Sequence, residues 1–144
     1  MLSLALSLHT SKAIVPATAP TQFGTGDWSV ADKSAAVEGG ELTLTLSTMP
    51  SNGGSAITDV EYRLDAGTWT TTGLTIAGTF DITGLTNAQS YSVDIRAVNA
   101  VGNATPSATK SATPTDTVAP TVTSSTINTG TGEIDLTGVS EPGT

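Results

Sequence analysis

The chain has 144 residues, no cysteine, and a net charge of −8 from 13 acidic against 5 basic residues. This excludes disulfides, thiolate metal sites and cysteine catalysis. The bases (Lys12, Lys33, Arg63, Arg96 and Lys110) are also too scattered in sequence for a nucleic-acid footprint, which needs clustered Lys and Arg. Hydrophobic residues at 37% with aromatics at 4% provide for one modest core. Abundant Thr with Val favours pleated, half-buried surfaces, and scattered Gly and Pro punctuate turns, so the composition predicts an all-β protein. No apolar run approaches the ~20 residues of a membrane-spanning helix.

The first segment, residues 1–15, reads MLSLALSLHTSKAIV. Leu2, Leu4, Leu6 and Leu8 recur with period 2, which places all four on one face of a strand. Such a strand is a template for pairing with another chain, and donation to a neighbouring sheet satisfies both its backbone and its leucines. The competing reading is a secretory signal peptide cleaved after Ala17-Thr18-Ala19. The apolar stretch is short for that role, and no Lys or Arg precedes it. Pro16 to Pro20 then forms an extended spacer, because proline fixes φ and disfavours helix in the preceding residue. Residues 1–26 are thus expected to be an N-terminal arm.

Strand signals follow in order. Glu41–Ser47 alternates Leu42, Leu44 and Leu46 against Thr43 and Thr45, and Met49–Ser55 is a loop by its Pro, Asn-Gly and Gly-Gly content. Ile57–Leu64 sets Val60, Tyr62 and Leu64 on one face and Glu61 and Arg63 on the other. After a turn at Asp65-Ala66-Gly67 come a short strand at Thr68–Thr72 around Trp69, a strand at Thr79–Thr83 with Phe80 and Ile82 inward, Tyr91–Val98, and Ser107–Thr113.

Seven or so short strands at this spacing suggest a two-sheet sandwich, and the motifs resemble fibronectin type III domains. Ile57–Leu64 resembles the family's third strand. Phe80–Thr86 resembles the strand leading into its corner, with Leu85 and Tyr91 at the corner positions. Arg96–Gly102 resembles the end of the sixth strand and its turn. The resemblance covers residues 27–115 and implies a seven-stranded sandwich in which the Tyr91 hydroxyl bonds back to the backbone. Two departures stand out. Leu46 occupies the place of a usual tryptophan, leaving Trp28 or Trp69 to fill the core, and Asn87 replaces a common corner proline.

Residues 116–144 read as a linker followed by a new beginning. Thr113–Pro120 is Thr- and Pro-rich, and Thr121–Thr144 resembles the first strands of a bacterial immunoglobulin-like module. A sandwich of this type needs about 100 residues, so the stretch is expected to be part of a longer protein or to pair across subunits.

Little of the sequence points to chemistry. His9, the single histidine, lies in the arm, so a Ser-His-acid set would have to bring it to the sandwich. Asp59 and Glu61 alternate onto one face near Asp65, within reach of one cation, but no calcium-loop spacing is present, and a solvated strand face explains them. Asn103-Ala104-Thr105 fits a glycosylation pattern, and the glycine pairs lack a phosphate-loop setting. Trp69 is either a sugar-stacking platform or a core residue. No catalytic set, metal site or cofactor is expected. The order of arm, Thr/Gly-rich sandwich and second module resembles virion proteins of tailed bacteriophages, such as capsid decorations, head fibres and tail fibres. That resemblance implies docking on other virion proteins through Leu2, Leu4, Leu6 and Leu8, homo-oligomerisation, and contact with host-surface glycans. The alternative is a secreted or cell-surface bacterial adhesin, or a carbohydrate-binding accessory module, with no membrane span.

Overall fold

In the computed structural model, residues 14–33, 39–116, 121–128, 130–131 and 133–140 are described. Leucines alternating with threonines form β2 (Leu42–Leu46), in which every leucine is buried. It lies between β1 (Trp28–Asp32) and β5 (Gly78–Ile82), all antiparallel. The second sheet places β3 (Ile57–Leu64) between β4 (Thr70–Thr71) and β6 (Tyr91–Asn99), with β7 (Lys110–Ala112) outermost. The two sheets make a seven-stranded, fibronectin type III-like β-sandwich, and no helix occurs among the described residues. Beyond it, β8 (Thr121–Asn128) and β9 (Glu133–Ser140) pair antiparallel as a separate two-stranded sheet.

The core is where the inward faces meet. Leu42, Leu44 and Ile82 from one sheet pack with Val60, Val93, Ile95 and Ala97 from the other. The Tyr62 and Phe80 rings touch across the layers at 5.6 Å. Trp28 lies opposite Leu46 in the register and is 2% exposed, so it supplies the large core aromatic from the first strand. Trp69 is only half-buried and lies on the outer face of the second sheet.

Several elements differ from the sequence expectation. The strand β1 (Trp-Ser-Val-Ala-Asp) is not among the expected strands; it turns Trp28 and Val30 to the core and leaves Ser29 and Ala31 exposed. The strand around Trp69 shrinks to Thr70–Thr71, and the last strand of the sandwich to Lys110–Ala112. Residues 18–26, assigned above to the arm, pack on the sandwich. The Thr18 and Thr21 amides donate to Gly53 and Ser51 carbonyls at 2.8 and 2.9 Å, and Phe23 is buried in the core. Their contacts are backbone hydrogen bonds, isolated side-chain bonds such as the Ser51 amide to Thr21 Oγ1, and the single buried anchors Pro20 and Phe23, none of which leaves a periodic trace. At the other boundary, Pro114 is fully buried, its carbonyl accepting the Ala88 amide, so the linker begins after it.

Two glycines are fixed by contact. Gly40 has φ +70°, and a Cβ there would meet the Leu85 carbonyl at 2.6 Å. Gly53 has φ +64°, and a Cβ there would meet the Thr18 carbonyl at 2.4 Å. Only glycine takes such a conformation without cost.

Candidate functional site

Three places concentrate polar or exposed groups: the outer face of the second sheet, the corner, and the end of the sandwich where the chain arrives.

On the outer face, Arg63 sits opposite Asp94 and Glu61 opposite Arg96 in the β3–β6 register. The Arg63 Nε and Nη2 both approach Asp94 Oδ2 at 2.8 Å, and the Arg96 Nε donates to Glu61 Oε2 at 2.6 Å. Asp94 is buried and also accepts from the Thr109 hydroxyl at 2.5 Å. Both guanidinium groups lie over the Trp69 ring, with Cζ at 4.7 Å for Arg63 and 4.2 Å for Arg96. Bases far apart in sequence thus meet on one indole, an attraction between cation and ring quadrupole. The acids singled out in the sequence are engaged as well. Asp59 Oδ1 accepts the Gly73 amide, and Asp65 Oδ1 accepts both the amide and the hydroxyl of Ser92. Among the described residues no group of three or more His, Cys, Asp or Glu is placed to hold a metal ion.

At the corner, the Thr86 amide donates to the Tyr91 hydroxyl at 2.9 Å, while the half-buried Leu85 leans on the core. The Leu85 amide donates to the Gly40 carbonyl, and Asn87 Oδ1 accepts the Gly40 amide at 2.5 Å. Asn87 therefore ties the corner to the start of β2. Nearby, Lys33 bridges Glu41 at 2.7 Å and Asp81 at 2.9 Å. Hydrogen bonds to Glu41 first and Asp81 second raise the Lys33 pKa above its ordinary value. The bond from Lys33, aided by the Thr43 hydroxyl, lowers that of Asp81.

The third place is the N-terminal pole, formed by the β2–β3 loop, the β4–β5 crossing and the β6–β7 turn. Asn99 is its hub. Buried at the end of β6, its Nδ2 donates to the carbonyls of Thr18 and Asn52 at 2.8 and 2.9 Å, and its Oδ1 accepts the Val101 and Gly102 amides. Four exposed large hydrophobic residues belong to this pole. Ile76 (72%) lies in the crossing that reaches β5 at Gly78, opposite Leu46. Val101 (52%) lies in the turn after Asn99, and Ile14 (94%) and Val15 (84%) come just before Thr18. At the opposite pole the Thr115 amide and hydroxyl bond the Asp32 carboxylate. Leu2, Leu4, Leu6, Leu8 and His9 lie outside the described residues. Neither Asn99 nor the Arg63–Trp69–Arg96 cluster was singled out from sequence. The cluster's signal is the alternation that sets Glu61 and Arg63 on the face shared with Asp94 and Arg96. For Asn99 there is none, because its partners come from three separate loops.

No family model and no curated protein matches the chain. Among solved structures, it resembles an Fn3-like protein from Clostridium thermocellum, with 20% identity over 67% of this chain and 93% of that one and a TM-score of 0.47. It also resembles the sixth fibronectin type III domain of human fibronectin type III domain containing protein 3, with 17% identity over 74% of this chain and 96% of that one and a TM-score of 0.47.

Proposed function

We propose that the chain is a non-catalytic structural module that docks by its N-terminal pole and displays the sandwich away from the docking partner. The observation that carries this is the polarity of the sandwich. The pole where the chain arrives bears Ile14, Val15, Ile76 and Val101, and the pole where it leaves carries the polar Thr115–Asp32 contacts. Exposed apolar residues gathered in one place mark contact surfaces. The leucine-alternating segment of residues 1–13 leads directly into that pole, so strand addition through Leu2, Leu4, Leu6 and Leu8 continues the same interface. In its specific form the proposal is a virion protein of a tailed bacteriophage, a decoration, head fibre or tail fibre. The β8–β9 pair then begins a second, immunoglobulin-like module further along.

The test compares the full chain with a version starting at Ile14, which keeps every described contact of the pole. Light scattering is expected to find the full chain self-associating and the shorter one monomeric. Folded monomers of equal state for both would remove the assembly role of residues 1–13. In particles, Leu4→Asp and Leu6→Asp are expected to abolish incorporation while leaving the sandwich folded, and normal incorporation of both would remove the docking role.

A further inference from the structure

The β2–β3 loop carries a chemical feature the docking reading does not use. Asn52-Gly53 is the single Asn-Gly pair in the sequence. Asn52 is exposed, and it opens a tight turn through Gly53 (φ +64°) and Gly54 (φ +85°), closed by the Ser55 amide donating to the Asn52 carbonyl at 3.2 Å. Its side-chain Oδ1 accepts the Gly54 amide at 2.9 Å. We propose that Asn52 is a site of spontaneous deamidation and isoaspartate formation, and that its conversion loosens the N-terminal pole.

Three features point to this. Glycine at 53 puts no side chain in the way of its own amide nitrogen. It is also irreplaceable, because the left-handed turn and the Thr18 carbonyl both forbid a Cβ. The Gly54 N–H on Oδ1 polarises the side-chain carbonyl and stabilises negative charge as it develops there, as a positioned amide does in acyl transfer. The step needs no reagent but water. The Gly53 nitrogen bonds to Asn52 Cγ, the Cγ–Nδ2 bond breaks, and ammonia leaves with the proton that the Gly53 nitrogen gave up. Water then opens the cyclic imide, giving aspartate if it attacks Cγ. If it attacks the main-chain carbonyl the product is isoaspartate, whose backbone runs through Cβ and is one methylene longer.

That methylene falls where the pole has no slack. The Asn52 carbonyl holds Asn99 Nδ2 and the Gly53 carbonyl holds the Thr18 amide at 2.8 Å. Lengthening the chain between them displaces one of the two bonds, and with it the segment leading into Phe23. The consequence for docking rests on the function proposed above. The modification itself does not, and it is measured on the free chain.

The full chain is incubated at mildly alkaline pH, digested, and the Asn52 peptide weighed and tested for isoaspartate by methyltransferase labelling. The expected result is conversion at Asn52 ahead of Asn87, Asn99, Asn103 and Asn128, rising with pH and absent in Asn52→Gln. An amide retained at Asn52 in the folded chain, while urea-unfolded chain converts, would overturn the site. Hydrogen exchange of the aged chain reads the consequence. The Thr18 and Thr21 amides are expected to exchange on the order of tenfold faster, as for loss of about one hydrogen bond, with Thr86 unchanged. Unaltered Thr18 protection in fully converted chain would overturn the loosening.

Discussion

The Asn99 side chain donates to the Thr18 carbonyl across 81 positions of sequence, joining the segment that arrives at the sandwich to the last residue of β6. The same amide group serves Asn52, and its oxygen serves Val101 and Gly102, so each of its polar atoms has a partner inside the fold.

Replacing Asn99 by Ala leaves several of those partners without a replacement. Buried groups deprived of a partner cost about 1–3 kcal/mol. Asn99→Ala is therefore expected to lower the urea midpoint and to release protection at Thr18 first. Asn99→Asp is expected to be at least as damaging, because a carboxylate cannot donate to the Thr18 and Asn52 carbonyls. Equal stability of Asn99→Ala and the parent would show that the hub is idle.

Tyr91→Phe removes the acceptor of the Thr86 amide and nothing else. A loss of about 1 kcal/mol is expected, seen as a lower melting temperature with the sandwich intact. Because Asn87 and Leu85 hold Gly40 independently, the corner should stay in place in the variant.

Gly40→Ala is expected to cost about 1–3 kcal/mol, since the left-handed backbone and the Leu85 carbonyl both oppose a side chain. Chemical denaturation measures it. Gly73→Ala is the control, because it shares the positive φ but has nothing within 4 Å of its would-be Cβ.

The Lys33–Asp81 pair sets a pH dependence. The Asp81 pKa is lowered in the folded chain, so its contribution is present above the unfolded pKa and fades as pH falls through the folded one. The Lys33 pKa is raised, so its contribution is present below the unfolded pKa and fades as pH rises through the folded one. Asp81→Asn is expected to flatten the acid limb of a stability–pH curve, and Lys33→Met both limbs. Both groups lie at the surface, so the effects are small and weaken in salt.

Trp69 is covered by guanidinium groups that are themselves held by Glu61 and Asp94. A double-mutant cycle on Glu61 and Arg96 is expected to give a coupling of about 0.5–1 kcal/mol. Arg96→Ala should shift Trp69 fluorescence towards that of a more solvated indole. An unchanged spectrum would mean that Arg96 does not shield the ring.

Elements with strict alternation were legible in the sequence. Leu42, Leu44 and Leu46 define β2, while Val60 and Tyr62 define the inward side of β3, because a one-residue slip would turn them to water. The strand β1 was not legible, since only Trp28 and Val30 turn inward and the apolar Ala31 sits on the exposed face beside Ser29. Nor was the packing of Thr18 to Phe23, which depends on main-chain hydrogen bonds and on Pro20 and Phe23 as isolated buried anchors without a period. The Arg63–Trp69–Arg96 cluster joins β3, β6 and the residue just before β4, and its members become neighbours only once the β3–β6 register is set.

The chain comes in at Asn99 and goes out at Asp32, at opposite poles of the sandwich. Any pull between residues 14 and 116 therefore runs the length of the sandwich. The Thr18–Asn99 and Thr115–Asp32 contacts stand first in line at either end and pass that pull to β6 and β1. A sandwich strung this way takes tension end to end, with one hydrogen-bonded latch where the chain arrives and another where it leaves.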